Sequence, residues 1–192
     1  VRMENIDSQM TQEKELTEMA ENDLLTGILN KKTMENRVSV QLEHRIGSEN
    51  LVFFMIDLDN FKEVNDNLGH AYGDRVLTDT AEKIKEVFPS NALIGRLGGD
   101  EFAVFAGFNA FDLENLTEYM SKKGQQLCRS LKAKYANGDK EVEVSASIGI
   151  ASAPTDGEDF MSVYQKADKA LYLSKRSGKD RYNLFQHSAA DE

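Results

Sequence analysis

Cysteine occurs once in these 192 residues, at Cys128, so no internal disulfide can form, and with only three histidines no zinc site can be assembled. A packed, inert thiol in a reducing compartment is the expectation. Positive charge is also scarce. Lys and Arg number 23 against 33 Asp and Glu, a formal net charge of -10. That balance argues against gripping nucleic acid by its phosphates, and a bound nucleotide would need local lysines, arginines or a metal ion. No run approaches the apolar length of a membrane span, so a cytoplasmic location is expected, with an anchor left open for a longer protein. There is no P-loop, no dinucleotide glycine fingerprint, no internal repeat and no low-complexity tract.

What is present reads as one globular domain with an appendage: 40% hydrophobic and 29% charged residues. The chain opens on Val1 in mid-pattern and is expected to be a piece of a longer protein with an upstream sensory domain. Residues 1–22 carry Met3, Ile6, Met10, Leu16, Met19 and Ala20 at a loose helical spacing. Two readings stand: a stalk helix that pairs with a second copy, or a solvated leader. The domain proper is expected over 23–187, with a tail at 188–192.

Asn30 caps an expected helix through Met34, Val38 and Leu42 to Ile46, closed by Gly47. "LVFFMIDLD", Leu51 to Asp59, is an apolar run ending in carboxylates, as in a buried central strand. A short helix follows, then a longer one from about Asp74 to Phe88. "ALIGRL" and "FAVFAG" flank Gly98-Gly99-Asp100-Glu101 as a hairpin. Leu113 to Tyr135 reads as a helix, with turn residues at Asn137–Asp139, and Val142 to Ser152 as a long strand. Thr155 with Glu158 offers a capping box for a last helix that ends at Gly178, and "RYNLF" closes the sheet as an edge strand. The order β-α-β-β-α-β gives an α+β fold: a ferredoxin-like or polymerase-palm antiparallel sheet covered by helices, as in nucleotidyl cyclases.

In such a sheet the first strand neighbours the hairpin, so Asp57 approaches Asp100 and Glu101. Converging carboxylates suit Mg²⁺ held partly by substrate phosphates, and the glycines permit positive φ and close approach of a ligand. The plainer alternative is a solvent-exposed turn followed by two acids. A calcium loop starting at Asp57 fails, with Phe61, Lys62 and Leu68 at its fifth, sixth and twelfth positions. In "NDNLGHAYGD", Asn65 and Asp74 flank a glycine-punctuated bend. An Asp accepts two parallel hydrogen bonds from a guanine edge, while capping by Asp74 and an Asx-turn at Asn65 is the structural alternative. In "SKRSGKD", Lys175 and Lys179 surround a helix end, either complementing its dipole or holding phosphates.

Together these residues resemble the GGDEF family of diguanylate cyclases, through "DLLTGILNKK", "IDLDNFKEVNDNLGHAYGD", "GRLGGDEF", "VSASIGIA" and "ADKALYLSKRSGKDR" in order from Asp23 to Phe185. The resemblance implies condensation of two GTP into cyclic di-GMP with release of two pyrophosphates, by an antiparallel homodimer holding one GTP per subunit. It implies Mg²⁺, or alternatively Mn²⁺, on Asp57, the Leu58 carbonyl and Asp100, with Asp100 and Glu101 catalytic and the general base left open between them. It places Asn65 and Asp74 on guanine, Gly99 on the ribose, Lys175 and Lys179 on phosphates, and the amides of Phe61 and Lys62 on the terminal phosphates. Because Asp74 is retained, selectivity for guanine over adenine is expected. Where many relatives carry an Arg-x-x-Asp product-inhibition site, this chain reads Pro89-Ser90-Asn91-Ala92, so strong feedback through that site is not expected. The rival class is a catalytically silent GGDEF domain that senses GTP or binds a protein. A more distant rival is a nucleotidyl cyclase making a mononucleotide product.

Overall fold

The structure, a computed structural model, describes residues 19–45, 49–108 and 113–187. The chain runs β1 (Leu29–Asn30), α1 (Lys31–Glu43), β2 (Asn50–Asp59), α2 (Phe61–Leu68), α3 (His70–Val87), β3 (Leu93–Gly98) and β4 (Glu101–Phe108). It continues through α4 (Leu113–Leu131), β5 (Ala133–Asn137), β6 (Lys140–Ala153), α5 (Phe160–Arg176) and β7 (Arg181–Leu184). The sheet order is β1-β3-β4-β2-β6-β5, with β7 paired to β6. Within it, β2-α3-β3-β4-α4-β6 is the ferredoxin-like βαββαβ unit, with β2 and β4 as antiparallel neighbours.

The apolar run of β2 is buried because both sheet faces are covered. Val52, Phe54, Ile56 and Leu58 pack with Val64 of α2, Val76 and Ile84 of α3 and Leu127 of α4. The alternate residues Leu51, Phe53 and Met55 pack with Met34 and Val38 of α1 and Val163, Ala167 and Leu171 of α5. Strand alternation then decides where the carboxylates go: Asp57 and Asp59 continue the odd-numbered, α5-facing row. In β4, Ala103 and Phe105 share that face, and so does Glu101. Helix α5 lies close on β6, since a Cβ at Gly149 would overlap the Ala167 carbonyl oxygen and the Leu171 nitrogen.

Several expected boundaries move. Helix α1 is capped by Asn30, which accepts from the Thr33 amide, but ends at Glu43; Ile46 and Gly47 lie outside the described residues. Helix α3 starts at His70, with Gly69 (φ +96°) at its N-cap, so Asp74 lies within the helix and is not its cap. Likewise Asn65 lies inside α2 and forms no Asx-turn there. The expected helix over Leu113–Tyr135 stops at Leu131; Ala133–Asn137 forms a hairpin with β6, because Tyr135 gains burial opposite Val142 and Gly138 supplies the tip at φ +61°. The capping box of α5 is formed by Asp159 and Ser162, one turn after the Thr155–Glu158 pair that was expected. The expected stalk, residues 1–18 of it, and the tail at 188–192 lie outside the described residues.

Candidate active site

The site grows from the carboxylate end of β2. Asp57 stands opposite Glu101 in the β2–β4 register, and the amide of Leu58 donates to the Asp100 carbonyl at 3.2 Å, tying the hairpin tip to the strand. Lys175, in the last turn of α5, donates to Asp57 Oδ2 at 2.7 Å. Burial, opposed by Lys175 and reinforced by the charges of Asp100 and Asp59, raises the Asp57 carboxyl above its ordinary range. Burial and then the Asp57 charge do the same to Glu101. Lys175 answers in kind: burial lowers its ammonium, but the Asp57 bond and the surrounding carboxylates raise it overall. One ammonium thus faces three carboxylates. A cleft of about 520 Å³ opens beside them, lined by Glu101, Asp168, Tyr172, Lys175 and Phe185.

Past Asp59 the chain turns through Asn60 in the left-handed region (φ +64°) into α2. Asn60 makes no side-chain cap, so no such bond reaches the first amides of α2, those of Phe61 and Lys62, which also lack intrahelical acceptors. A helix start with open N–H groups favours anions. The Asn60 side chain is instead engaged by Lys179, whose Nζ donates to Asn60 Oδ1 at 3.2 Å. Lys175 and Lys179 therefore flank the passage from β2 into α2.

The corner between α2 and α3 sets Asn65 against Gly73, the residue before Asp74. A Cβ at Gly73 would overlap Asn65 Oδ1 and lie 3.4 Å from the Phe61 ring, so glycine alone lets Asn65 lie against the first turn of α3, beside Asp74. At the hairpin, Gly98 (φ +147°) and Gly99 (φ +51°) take backbone that side chains resist, which is why two glycines precede the acids. Arg96 fixes that tip: its Nε and Nη2 donate to the Gly99 carbonyl at 3.0 and 2.7 Å. Its Nη1 meets both carboxylate oxygens of Asp23 at 3.2 and 3.1 Å. Sequence reasoning missed the Asp23–Arg96 clamp and the part played by Asp59 and Asn60; only the position of Asp23 in the entry motif hinted at the first. Pro89–Ala92 forms a turn closed by the Ala92 amide on the Pro89 carbonyl at 3.0 Å, away from these groups.

The family model for the diguanylate cyclase GGDEF domain matches residues 20–181. The chain belongs to the GGDEF family. Relatives agree. The domain is 34% identical over 182 residues to the signaling protein YkoW of Bacillus subtilis, covering 94% of this chain and 22% of that one. It is 35% identical over 176 residues to the diguanylate cyclase TpbB of Pseudomonas aeruginosa, covering 89% of this chain and 39% of that one. The solved GGDEF domain of TpbB superimposes with a TM-score of 0.75 at 34% identity, covering 86% of this chain and 94% of that one. The chain thus spans only a fifth to two-fifths of these curated relatives.

GGDEF cyclases generally use a divalent metal. Among the described residues, no three His, Cys, Asp or Glu side chains converge closely enough to hold an ion by themselves. The donor set nevertheless fits a hard cation that keeps part of its shell for phosphate: two carboxylates, Asp57 and Asp100, a backbone carbonyl at Leu58, and an excess of negative charge that one lysine leaves uncompensated. No helix among the described residues is long and apolar enough to cross a membrane.

Proposed function

We propose that this GGDEF domain condenses two GTP molecules into cyclic di-GMP, releasing two pyrophosphates, as an antiparallel homodimer with one GTP per subunit. The observation that carries the reading is the Asp57–Glu101 pair, held on one sheet face opposite Lys175 and next to the open amides of Phe61 and Lys62. Asn65 and Asp74 bind the guanine edge, the Asp accepting from its adjacent N–H donors, which adenine lacks. Gly99, with no side chain, lets the ribose approach the backbone. Lys175, Lys179 and the first amides of α2 hold the phosphates.

Each linkage forms by attack of a 3′-oxygen on the α-phosphorus of the facing GTP. The P–O bond to the β-phosphate breaks, and pyrophosphate leaves with its electron pair. The proton of the 3′-hydroxyl passes to a carboxylate at the hairpin tip. Asp100 and Glu101 are the two candidates there, and at Glu101 burial and the Asp57 charge raise the carboxyl, which favours proton uptake. Asp57, the Leu58 carbonyl and Asp100 would hold the divalent ion, Mg²⁺ or Mn²⁺, which when bound neutralises charge on the α-phosphate and acidifies the attacking hydroxyl. The rest of the work is alignment of attacking and leaving oxygens. Since one subunit holds one nucleotide and the product has two linkages, a second copy must face the first across a two-fold axis. Where such a domain sits in a longer chain, as in the relatives it matches, a segment like residues 1–22 would join it to a sensory module that controls this pairing.

The test is to incubate the domain with GTP and Mg²⁺ and identify the product chromatographically, beside Asp100→Ala, Glu101→Ala. Cyclic di-GMP from the parent and none from the variant is expected. GTP binding without product, even when a fused coiled coil forces dimers, would favour the silent, GTP-sensing alternative.

A further inference from the structure

Two consecutive non-glycine residues, Lys179 and Asp180, sit in the left-handed region at φ +62° and +47°. Such backbone persists only where its surroundings over-determine it. The surroundings here are specific. The Asp180 amide donates to Asp59 Oδ2 at 3.0 Å, and Lys132 Nζ meets the Asp180 carboxylate at 2.6 Å. The Lys179 amide donates to the Ser174 carbonyl at 3.1 Å, and its own carbonyl accepts from Arg181 Nε at 3.1 Å.

Asp59 is the buried member of this set, at 3% exposure. Its Oδ1 accepts from Ser147 Oγ and its Oδ2 from Ser145 Oγ, both at 2.8 Å, and the second oxygen also takes the Asp180 amide. A buried carboxylate is expensive unless it meets donors, and among the described residues three donors meet this one. The two hydroxyls come from β6, alongside β2, and would satisfy a purely structural aspartate. The third donor comes from 121 residues away and belongs to the turn that carries Lys179. From that turn Lys179 reaches Asn60, the residue immediately after Asp59.

We propose that Asp59 is a positioning residue: through the Asp180 amide it holds the Lys179–Asp180 turn in its strained shape, and so presets the Lys179 ammonium at the start of α2 before any nucleotide arrives. Asp59 itself touches no substrate. The proposal rests on the reading that Lys179 meets the nucleotide's phosphates. Its effect is preorganisation: without the anchor, the turn relaxes and the lysine must be ordered anew each time a phosphate binds.

The experiment is a double-mutant cycle read by equilibrium binding of guanosine 5′-(α,β-methylene)triphosphate, which cannot lose pyrophosphate, with Mg²⁺ present. Asp59→Ser keeps a hydroxyl for the β6 serines but is too short to reach Asp180; it should weaken binding about tenfold, as should Lys179→Ala. Together they should do little more than the worse single change, because both remove the same interaction. Asp59→Asn, which retains an acceptor for the Asp180 amide, should recover most of the affinity. Fold-changes that multiply, or wild-type affinity in Asp59→Ser, would overturn the proposal. Should Asp59→Ser fail to fold, amide exchange in the unmodified chain decides: the Asp180 amide should be protected without ligand, and exchange at the rate of an open loop would sink the idea. Weak analogue binding by the parent with no loss on Lys179→Ala would instead count against the phosphate-site reading, leaving the anchoring of the turn to be judged from the exchange data.

Discussion

Glu101 and Asp57 face each other across two paired strands, and the fold keeps both carboxyls harder to ionise than in solution: burial comes first for each, aided by the Asp57 charge at Glu101 and, against the pull of Lys175, by the Asp100 and Asp59 charges at Asp57. A carboxyl raised in the folded state favours folding at low pH and loses that advantage as pH rises through its folded value. Ionised Glu101 is therefore a burden on stability near neutrality, and Glu101→Gln should melt no lower than the parent at pH 7. The same change should cut cyclic di-GMP formation by about two to three orders of magnitude. The melting advantage should shrink towards pH 4, where the parent's own carboxyl is protonated. Thermal melts at several pH values beside a product assay check both halves, and a variant that lost stability and activity in parallel would contradict the argument.

Elements meet at the site through one small residue and one clamp. Gly73 lets α3 start against Asn65, so Gly73→Ala should push the amide aside and raise the KM for GTP about tenfold, with little change in Tm because what must yield is the outer end of a half-buried side chain. Asp23 and Arg96 tie the entry turn to the Gly99 carbonyl. Burial would raise the Asp23 carboxyl, but the hydrogen bonds from Thr26 and the Arg96 charge lower it overall. A lowered carboxyl gives stability that is present above its unfolded value and lost as pH falls through the folded one. Asp23→Asn should accordingly cost about 1 kcal/mol near neutrality, allowing for solvent at a partly exposed pair. That deficit should close in acid, as melts of the two chains will register. The sequence made much of this legible. The apolar run of β2 could only be a doubly covered strand, and its alternation sent Asp57 towards α5. Asn65, Asp74 and the two glycines of the hairpin stood at spacings that the family motif explains. The strand Ala133–Asn137 was hidden because five residues with a single large apolar side chain, Tyr135, carry no periodicity of their own; only the partner Val142–Val144 gives them a face. The shape at Lys179–Asp180 was hidden for a similar reason: lysine has no local preference for the left-handed region, and the anchor that holds the turn there lies on another strand.

At the scale of the whole molecule, the proposed function gives one copy only half of a reaction. Below the dimerisation constant, the rate of cyclic di-GMP formation should therefore rise with the square of protein concentration, and a fused dimeric coiled coil at the N-terminus should make it linear. A rate linear in concentration for the unfused domain, down to concentrations where light scattering finds only monomer, would be incompatible with one GTP per subunit. One further consequence follows from the ion pair of Lys175 with Asp57. The lysine is the counterion of the very carboxylate that a divalent cation would claim, and the phosphates would claim the lysine. Either visitor alone must break the pair and leave one of its members without company. Arriving together, they swap partners and strand nobody. Metal and triphosphate should thus be thermodynamically linked at this site: each should bind weakly by itself, and each should tighten the other by the same factor, with the lysine as the currency of the exchange.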